Sequence, residues 1–139
     1  MESSPNITKI KPLKEILPEN EIIALTGCPP HPNTIVWPVV QILLGKNIKL
    51  DAYGRPRKLY HPTVHSRCER RGRVFATGLA QPGTCLYHLG CKGPKSHGTC
   101  PSTKWNNGVS WCVESNAPCI GCTEPTFPGR KALFKIPGI

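Results

Sequence analysis

Seven of the chain's eight cysteines lie between residues 68 and 122, in a segment where Gly and Pro recur every few residues. Such a composition predicts turns rather than long helices or strands, and a chain built of turns buries little apolar surface. Bound metal must then supply much of the folding free energy, as it does in other small metal-dependent domains. The whole chain has 139 residues, about the size of one domain.

The N-terminus, MESSPNITKI, has no apolar stretch of the signal-peptide type. No apolar run reaches the roughly 18 residues needed to cross a bilayer. We therefore expect a cytoplasmic protein without a transmembrane segment. Eight cysteines in such a protein favour metal ligation over disulfides, with a disulfide framework as the alternative if a partner chain carries an export signal.

The formal net charge is +10, from 18 Lys and Arg against 8 Asp and Glu. Such an excess often indicates a nucleic-acid partner. Here much of it lies beside cysteines, where cations offset the charge of bound thiolates: Arg67, Arg70, Arg71 and Arg73 surround Cys68. The aromatic residues do not alternate with basic ones as a base-stacking surface requires, so we expect no nucleic acid. Eight acidic residues also argue against a hydrolase that works through carboxylate pairs.

The chain divides into three segments. Residues 1–20 form a polar N-terminal arm, residues 21–50 contain the most apolar stretches, and residues 51–139 are rich in Cys, Gly and Pro. In the middle segment, the short apolar run over residues 21–26 predicts a buried strand. The run NTIVWPVVQILLG over residues 33–45 predicts a helix.

The predicted helix has recognisable ends. Asn33 or Thr34 is expected to cap its N-terminus, and Gly45 to end it. Pro38 is expected to bend the helix or to delay its start.

Spacing alone separates the candidate metal ligands into two groups of four. The first has three thiols and an imidazole, and the second has four thiols. Either group suits tetrahedral zinc, whereas iron–sulfur clusters tolerate wider and less regular spacing, so both metals stay open at this point. The first group is His65, Cys68, Cys85 and Cys91, and the second group is Cys100, Cys112, Cys119 and Cys122. Cys28 belongs to neither group, and a lone cysteine after a strand is commonly a small buried residue.

Four stretches of the sequence resemble the C-terminal half of the small, electron-transferring subunit of nickel–iron hydrogenases. They lie between residues 25 and 129, in the family's order and at its spacing. The stretches read TGCPPHPNTIVWPVVQILLGK, LDAYGRPRKLYHPTVHSRCERRG, GTCLYHLGCKGPKSHGTCPSTKWNNGVSWC and APCIGCTEPTFPG.

This resemblance implies a role for each ligand group. The first group would bind the distal [4Fe–4S] cluster, where electrons leave near the surface, and the second the medial cluster. Many family members have Pro at the position of Cys112 and a medial [3Fe–4S] cluster, so the cysteine here implies a medial [4Fe–4S] cluster. Cys28 matches the last of four ligands to the proximal cluster, nearest the nickel–iron site. No catalytic residue is expected, because the hydrogen chemistry belongs to the large subunit.

The resemblance also implies a fold and a set of partners. Residues 51–139 would form a small, loop-rich, mostly α or irregular iron–sulfur domain. Residues 21–50 would be one strand and one helix left from a flavodoxin-like α/β domain. That domain carries the other three proximal ligands in the family, so we expect a separate chain to supply it. Two [4Fe–4S] clusters would lie within this chain, and a third would be shared.

The expected function is that of an electron-transfer subunit of a nickel–iron hydrogenase. Its partners would be the large subunit, the chain with the flavodoxin-like half and a redox partner at the distal cluster, and any membrane association would come through them. The alternative is a zinc-stabilised basic module that binds nucleic acid or protein.

Overall fold

The computed structural model describes residues 7–79 and 81–127, and regular structure is sparse within them. Short helices alternate with turns, and pairing between extended segments there is limited to isolated bridges. This confirms the predicted small, loop-rich fold. No helix in that part of the chain has the length and apolar character needed to cross a bilayer. The α-helices are α1 (Leu13–Ile16), α2 (Pro32–Leu43), α3 (Arg57–Tyr60) and α4 (Cys100–Thr103), and the 3₁₀ helices are η1 (His65–Arg67), η2 (Tyr87–Leu89) and η3 (Gly93–Lys95).

The longest of these helices, α2, is the one that the apolar run predicted. It begins after His31, whose ring Nδ1 accepts a hydrogen bond from the Asn33 N–H at 3.1 Å. The cap is therefore not Asn33 or Thr34 as expected, because the imidazole offers an acceptor two residues earlier. Pro38 neither delays the helix nor ends it. It lies buried inside α2, one turn after the buried Thr34, on the side that faces the rest of the protein.

The strand predicted over residues 21–26 does not form, so that prediction was wrong. A strand completes its hydrogen bonds with a neighbouring strand, and the described part of the chain offers this segment none. Single contacts hold it instead. The Ala24 N–H donates to the Gly54 carbonyl at 2.8 Å. The Tyr60 hydroxyl accepts from the Thr26 N–H and donates to the Thr26 carbonyl, each at 2.9 Å.

The hydrophobic core is small and lies among the cysteines. Its largest side chain, Trp111, donates its indole N–H to both carboxylate oxygens of Glu69 at 3.2 Å. Because cysteines are core members, whatever binds them also supports the core. The buried members are Val64, Ala76, Leu86, Leu89, Trp111, Val113 and Cys119, and Cys68, Cys91, Cys100 and Trp105 pack against them.

Arg55 joins the start of the cysteine-rich segment to its far end. Its buried side chain donates from Nε to Asp51 Oδ2 at 2.7 Å and from Nη1 to the Thr123 carbonyl at 3.0 Å. Nη1 also lies 3.5 Å from Glu124 Oε1. Burial raises the pKa of Asp51, but hydrogen bonds from the backbone N–H groups of Arg55 and Tyr53 and from the guanidinium outweigh burial and hold that pKa below its usual range.

Replacing Arg55 with Met should lower the free energy of unfolding by about 2–4 kcal/mol, because a buried carbonyl loses its donor and a carboxylate loses its cation. Denaturant unfolding of anaerobically prepared protein, followed by circular dichroism, measures the change. The exposed neighbour Arg57, changed to Met, is the control and should shift stability by less than about 0.5 kcal/mol. An equal decrease in the free energy of unfolding of the two variants would show that the buried contacts of Arg55 do not contribute to stability.

Candidate metal centre

The first ligand group begins on the turn formed by η1. His65 starts this turn, and the Cys68 N–H closes it by donating to the His65 carbonyl at 3.2 Å. The Cys68 sulfur accepts a hydrogen bond from the Arg70 N–H at 3.4 Å. Burial nevertheless raises the pKa of the Cys68 thiol, and that amide offsets part of the rise. The amide favours the ionised thiolate, which is the form that binds metal.

Gly93 keeps His65 and Cys91 side by side. A Cβ atom placed on Gly93 would lie 3.5 Å from Cys91 Sγ and 3.7 Å from the His65 Cβ. The two side chains therefore border the same small space, which a larger residue at this position would fill. The structure thus brings together an imidazole and a thiol that are 26 positions apart in the sequence.

Cys85 is buried and is fixed by main-chain pairing with the segment before it. Its N–H donates to the Val74 carbonyl at 2.8 Å, and its carbonyl accepts from the Ala76 N–H at 2.9 Å. The thiols of Cys85 and Cys91 lie within electrostatic reach of Cys68. All three thiols of the first group are therefore gathered in one place.

Three cysteines of the second group line a cavity of about 260 Å³. Cys100 begins α4, Cys112 follows the core residue Trp111, and Cys122 lies near the far end of the described chain. A fourth thiol in this cavity belongs to Cys28, which the sequence assigned to a different cluster. Since a water molecule takes about 30 Å³ of liquid, the cavity has room for a compact group of several heavy atoms.

Cys119 does not line this cavity, although the sequence placed it in the second group. It is buried, and its N–H donates to Cys91 Sγ at 3.3 Å, while its carbonyl accepts from the Lys92 N–H at 2.7 Å. Its thiol is within electrostatic reach of both Cys91 and Cys100. Cys119 therefore stands between the two groups, which are direct neighbours.

Burial raises the thiol pKa of three members of the second group: Cys100, Cys119 and Cys122. It raises the pKa of Cys100 to about 11, with a further contribution from the nearby thiols of Cys122 and Cys112, and it raises the pKa of Cys119 to about 12. Burial also raises the pKa of Cys122, although a hydrogen bond from the Cys28 N–H opposes that change. Without a cation these thiols are protonated at neutral pH. Metal binding must displace their protons and becomes more favourable as the pH rises.

The wall of the cavity contains a buried hydroxyl without a partner. Thr26 Oγ1 makes no hydrogen bond within the described residues, whereas buried hydroxyls normally find one. The sulfur atoms of a bound cluster would give this hydroxyl an acceptor. Sequence reasoning missed Thr26, and its position two residues before Cys28 was the available signal.

Thiols spaced around a cavity, with a hydroxyl donor in the wall, fit an iron–sulfur cluster, in which each iron takes its own ligand from the chain. The cavity is lined by Cys100, Cys112 and Cys122 of the second group and by Cys28, and Cys119 lies near Cys100. Among residues 7–79 and 81–127, no three His, Cys, Asp or Glu side chains come close enough together to hold a single metal ion.

Several known proteins are similar to this chain in sequence and in fold. The family model for the C-terminal region of the NiFe/NiFeSe hydrogenase small subunit matches residues 60–135. The uptake hydrogenase small subunit of Cupriavidus necator is 34% identical over 99% of this chain and 41% of its own length. The quinone-reactive Ni/Fe-hydrogenase small chain of Wolinella succinogenes is 37% identical over 96% of this chain and 40% of its own length.

Solved structures agree with the sequence comparison. The recombinant [NiFeSe] hydrogenase of Desulfovibrio vulgaris Hildenborough contains a chain that is 36% identical and superposes with a TM-score of 0.80. The match covers 91% of this chain and 51% of that one. The present chain thus spans about two fifths of the length of its curated relatives and half of the solved chain.

Changing Thr26 to Val should lower the reduction potential of a cluster bound in the cavity, because a hydrogen bond to sulfur stabilises the reduced, more negative form. A bond of about 1 kcal/mol corresponds to a shift on the order of tens of millivolts for one electron. Redox titration monitored by electron paramagnetic resonance measures it. Thr26→Ser, which keeps the hydroxyl, should stay near wild type, and a normal potential in the Val variant would count against this role.

Proposed function

Because the chain belongs to the NiFe/NiFeSe hydrogenase small-subunit family, of which it carries the C-terminal part, we propose that it is the electron-relay part of a hydrogenase. The clusters typical of this family accept and release single electrons when bound. In this proposal hydrogen is split or formed at a nickel–iron centre on a separate large subunit. The present chain connects that centre with an external redox partner and contributes no catalytic residue.

The observation that carries this proposal is the direct contact between the two ligand groups. The Cys119 N–H donates to Cys91 Sγ at 3.3 Å, and the Cys119 thiol also interacts with Cys100. Electron tunnelling weakens steeply with distance, so successive redox groups must lie close together. An amide of one group bonded to a sulfur of the other would keep two bound clusters close enough for this transfer.

Each group receives a role in this proposal. The first holds a distal [4Fe–4S] cluster, and the second holds a medial [4Fe–4S] cluster, with Cys112 as its fourth thiolate. We keep Cys119 in the second group, as its spacing in the sequence predicts, although its N–H donates to Cys91 Sγ and its thiol is near both Cys91 and Cys100. The distal ligands are His65, Cys68, Cys85 and Cys91, and the medial ligands are Cys100, Cys112, Cys119 and Cys122.

The ligand residues also set the charge at each site. His65 is neutral where a fourth thiolate would be anionic, so the distal site carries about one negative charge less and favours reduction. The Arg70 N–H supports the Cys68 sulfur, and the Cys28 N–H supports the Cys122 sulfur. Such main-chain donors offset part of the negative charge that the thiolates bring.

The proposal predicts about eight irons per chain after anaerobic purification, four for each cubane. Metal analysis by plasma mass spectrometry, together with broad visible absorption of the brown protein, measures this content. A zinc-stabilised binding module would be colourless and would contain stoichiometric zinc with negligible iron. That result would overturn the electron-transfer proposal.

We also propose that a second chain, with the flavodoxin-like half, covers α2 and completes a proximal cluster with Cys28. The support is the exposed apolar surface of this helix, where Val36 is 56%, Val39 50% and Leu43 80% exposed. Apolar side chains grouped in this way mark an interaction site on a protein surface.

Changing Cys28 to Ala in the complex with its partners should remove one cluster, the proximal one, and leave the distal and medial signals intact. The thiol is the fourth ligand of that cluster in this proposal, so its loss leaves one iron without a protein ligand. Iron counting and electron paramagnetic resonance of the purified complex measure the outcome.

The control for this experiment is Cys112→Ala, which removes the other exposed thiol and should alter the medial signal alone. Loss of the medial signal in the Cys28 variant would place Cys28 in the second group, whose cavity it lines. A full cluster count in that variant would leave Cys28 as a packing residue.

A further inference from the structure

A cluster of exposed rings lies beside Cys85. The rings of Phe75 and His88 stack with their centres 4.2 Å apart, and Tyr87 lies 6.1 Å from Phe75. Val74 extends this surface and is 80% exposed, while Phe75 and Tyr87 are 48% and 51% exposed. We call Val74, Phe75, Tyr87 and His88 the aromatic patch. No helix or strand among the described residues covers these rings, and a half-exposed Phe is unusual in a folded protein.

The aromatic patch is attached directly to the first ligand group. Phe75 forms a bridge with Cys85, and the main chain on either side of Phe75 is bonded to that cysteine at 2.8 and 2.9 Å. Tyr87 follows Cys85 by two residues, at the start of η2. A protein that docks on the patch would therefore lie against the ligands of the distal site.

Three exposed arginines lie in the segment that leads directly into this patch, residues 67–73. Arg67, Arg71 and Arg73 are exposed, and none of the ion pairs among the described residues involves them. The acidic residue within this stretch, Glu69, already accepts the Trp111 indole N–H. We call Arg67, Arg71 and Arg73 the arginine rim. Its positive charge is therefore free to attract an acidic surface.

Arg70 lies in the same segment as the arginine rim but differs from it in its surroundings. It is buried, and its guanidinium donates to the Thr84 carbonyl, the Asn116 side chain and the Glu114 carbonyl. These bonds hold the loop that follows Cys68. Within residues 7–79 and 81–127, the guanidinium groups of the arginine rim make no such bonds, and all three residues are exposed.

We infer that the aromatic patch and the arginine rim form the docking surface for a small acidic electron-carrier protein. Apolar rings at the centre with arginines around them are typical of protein interfaces. Opposite charges speed the encounter and orient the partner. This inference rests on the proposed function: the carrier accepts one electron as the distal site gives up one, with no proton or bond change, and the reverse transfer returns it.

The experiment uses the anaerobically purified protein with its partners and an acidic two-[4Fe–4S] ferredoxin as the probe. Binding is measured by titration calorimetry at low ionic strength, and electron transfer by stopped-flow absorbance. The double variant Arg71→Glu/Arg73→Glu should weaken ferredoxin binding at least about tenfold, and added salt should weaken wild-type binding in the same direction. Phe75→Ser should also weaken binding but leave its salt dependence unchanged.

The control is Lys11→Glu/Lys14→Glu, which makes the same charge change at exposed lysines near the N-terminus. It should alter binding by less than about threefold. Equal weakening in both double variants would show that net charge alone attracts the carrier and would overturn the inference. Unchanged binding in the arginine variant, or preference for a basic cytochrome c, would overturn it as well.

A negatively charged membrane is the competing explanation for basic and aromatic residues on one surface. Vesicles of phosphatidylserine and phosphatidylcholine test it by sedimentation with the same variants. Vesicle binding that the arginine variant abolishes, with ferredoxin binding intact, would assign the surface to a membrane. Iron content is measured separately on every preparation. A protein without iron that still binds ferredoxin through the patch would contradict the relay function but not the docking surface.

Discussion

A thiol taken out of water resists ionisation, yet its ionised form is the one that binds iron. This chain places several of its candidate ligands in or against its small hydrophobic core. Cys119 is a core member, and Cys68, Cys91 and Cys100 pack against the same residues. The free energy needed to ionise a buried thiol would have to be offset by the free energy of metal binding. In the proposed function, folding and cluster binding are therefore coupled in this segment.

The scarcity of helices follows from the same chemistry. Inside an α-helix each N–H is committed to a carbonyl four residues earlier, so it cannot point at a sulfur. Turns leave main-chain donors available. The N–H groups of Arg70, Cys119 and Cys28 donate to the sulfurs of Cys68, Cys91 and Cys122 respectively. A loop-rich fold supplies these donors without extra side chains, which is why so many ligands fit into so short a segment.

Features that depend on neighbouring residues could be predicted from the sequence. The apolar run of α2, the turn-rich character after residue 51 and the pairing of His65 with Cys68 are all local. Features that depend on contacts between residues far apart in the sequence could not be predicted. The segment 21–26 has strand composition but no strand beside it, and the cap of α2 is an imidazole that propensity scales do not favour. The positions of Cys28 and Cys119 depend on main-chain bonds to other parts of the chain, which spacing does not encode.

The bonds of Arg55 also determine when the protein can be completed during synthesis. Its carbonyl partner is 68 residues further along the chain, so a nascent chain cannot close this contact until the end of the cysteine-rich segment has left the ribosome. Until then the ligands between the two ends belong to an open chain whose sulfurs are in water, where they ionise more readily. For the proposed clusters, the late closure leaves an interval in which iron and sulfide can reach thiols that the finished fold encloses.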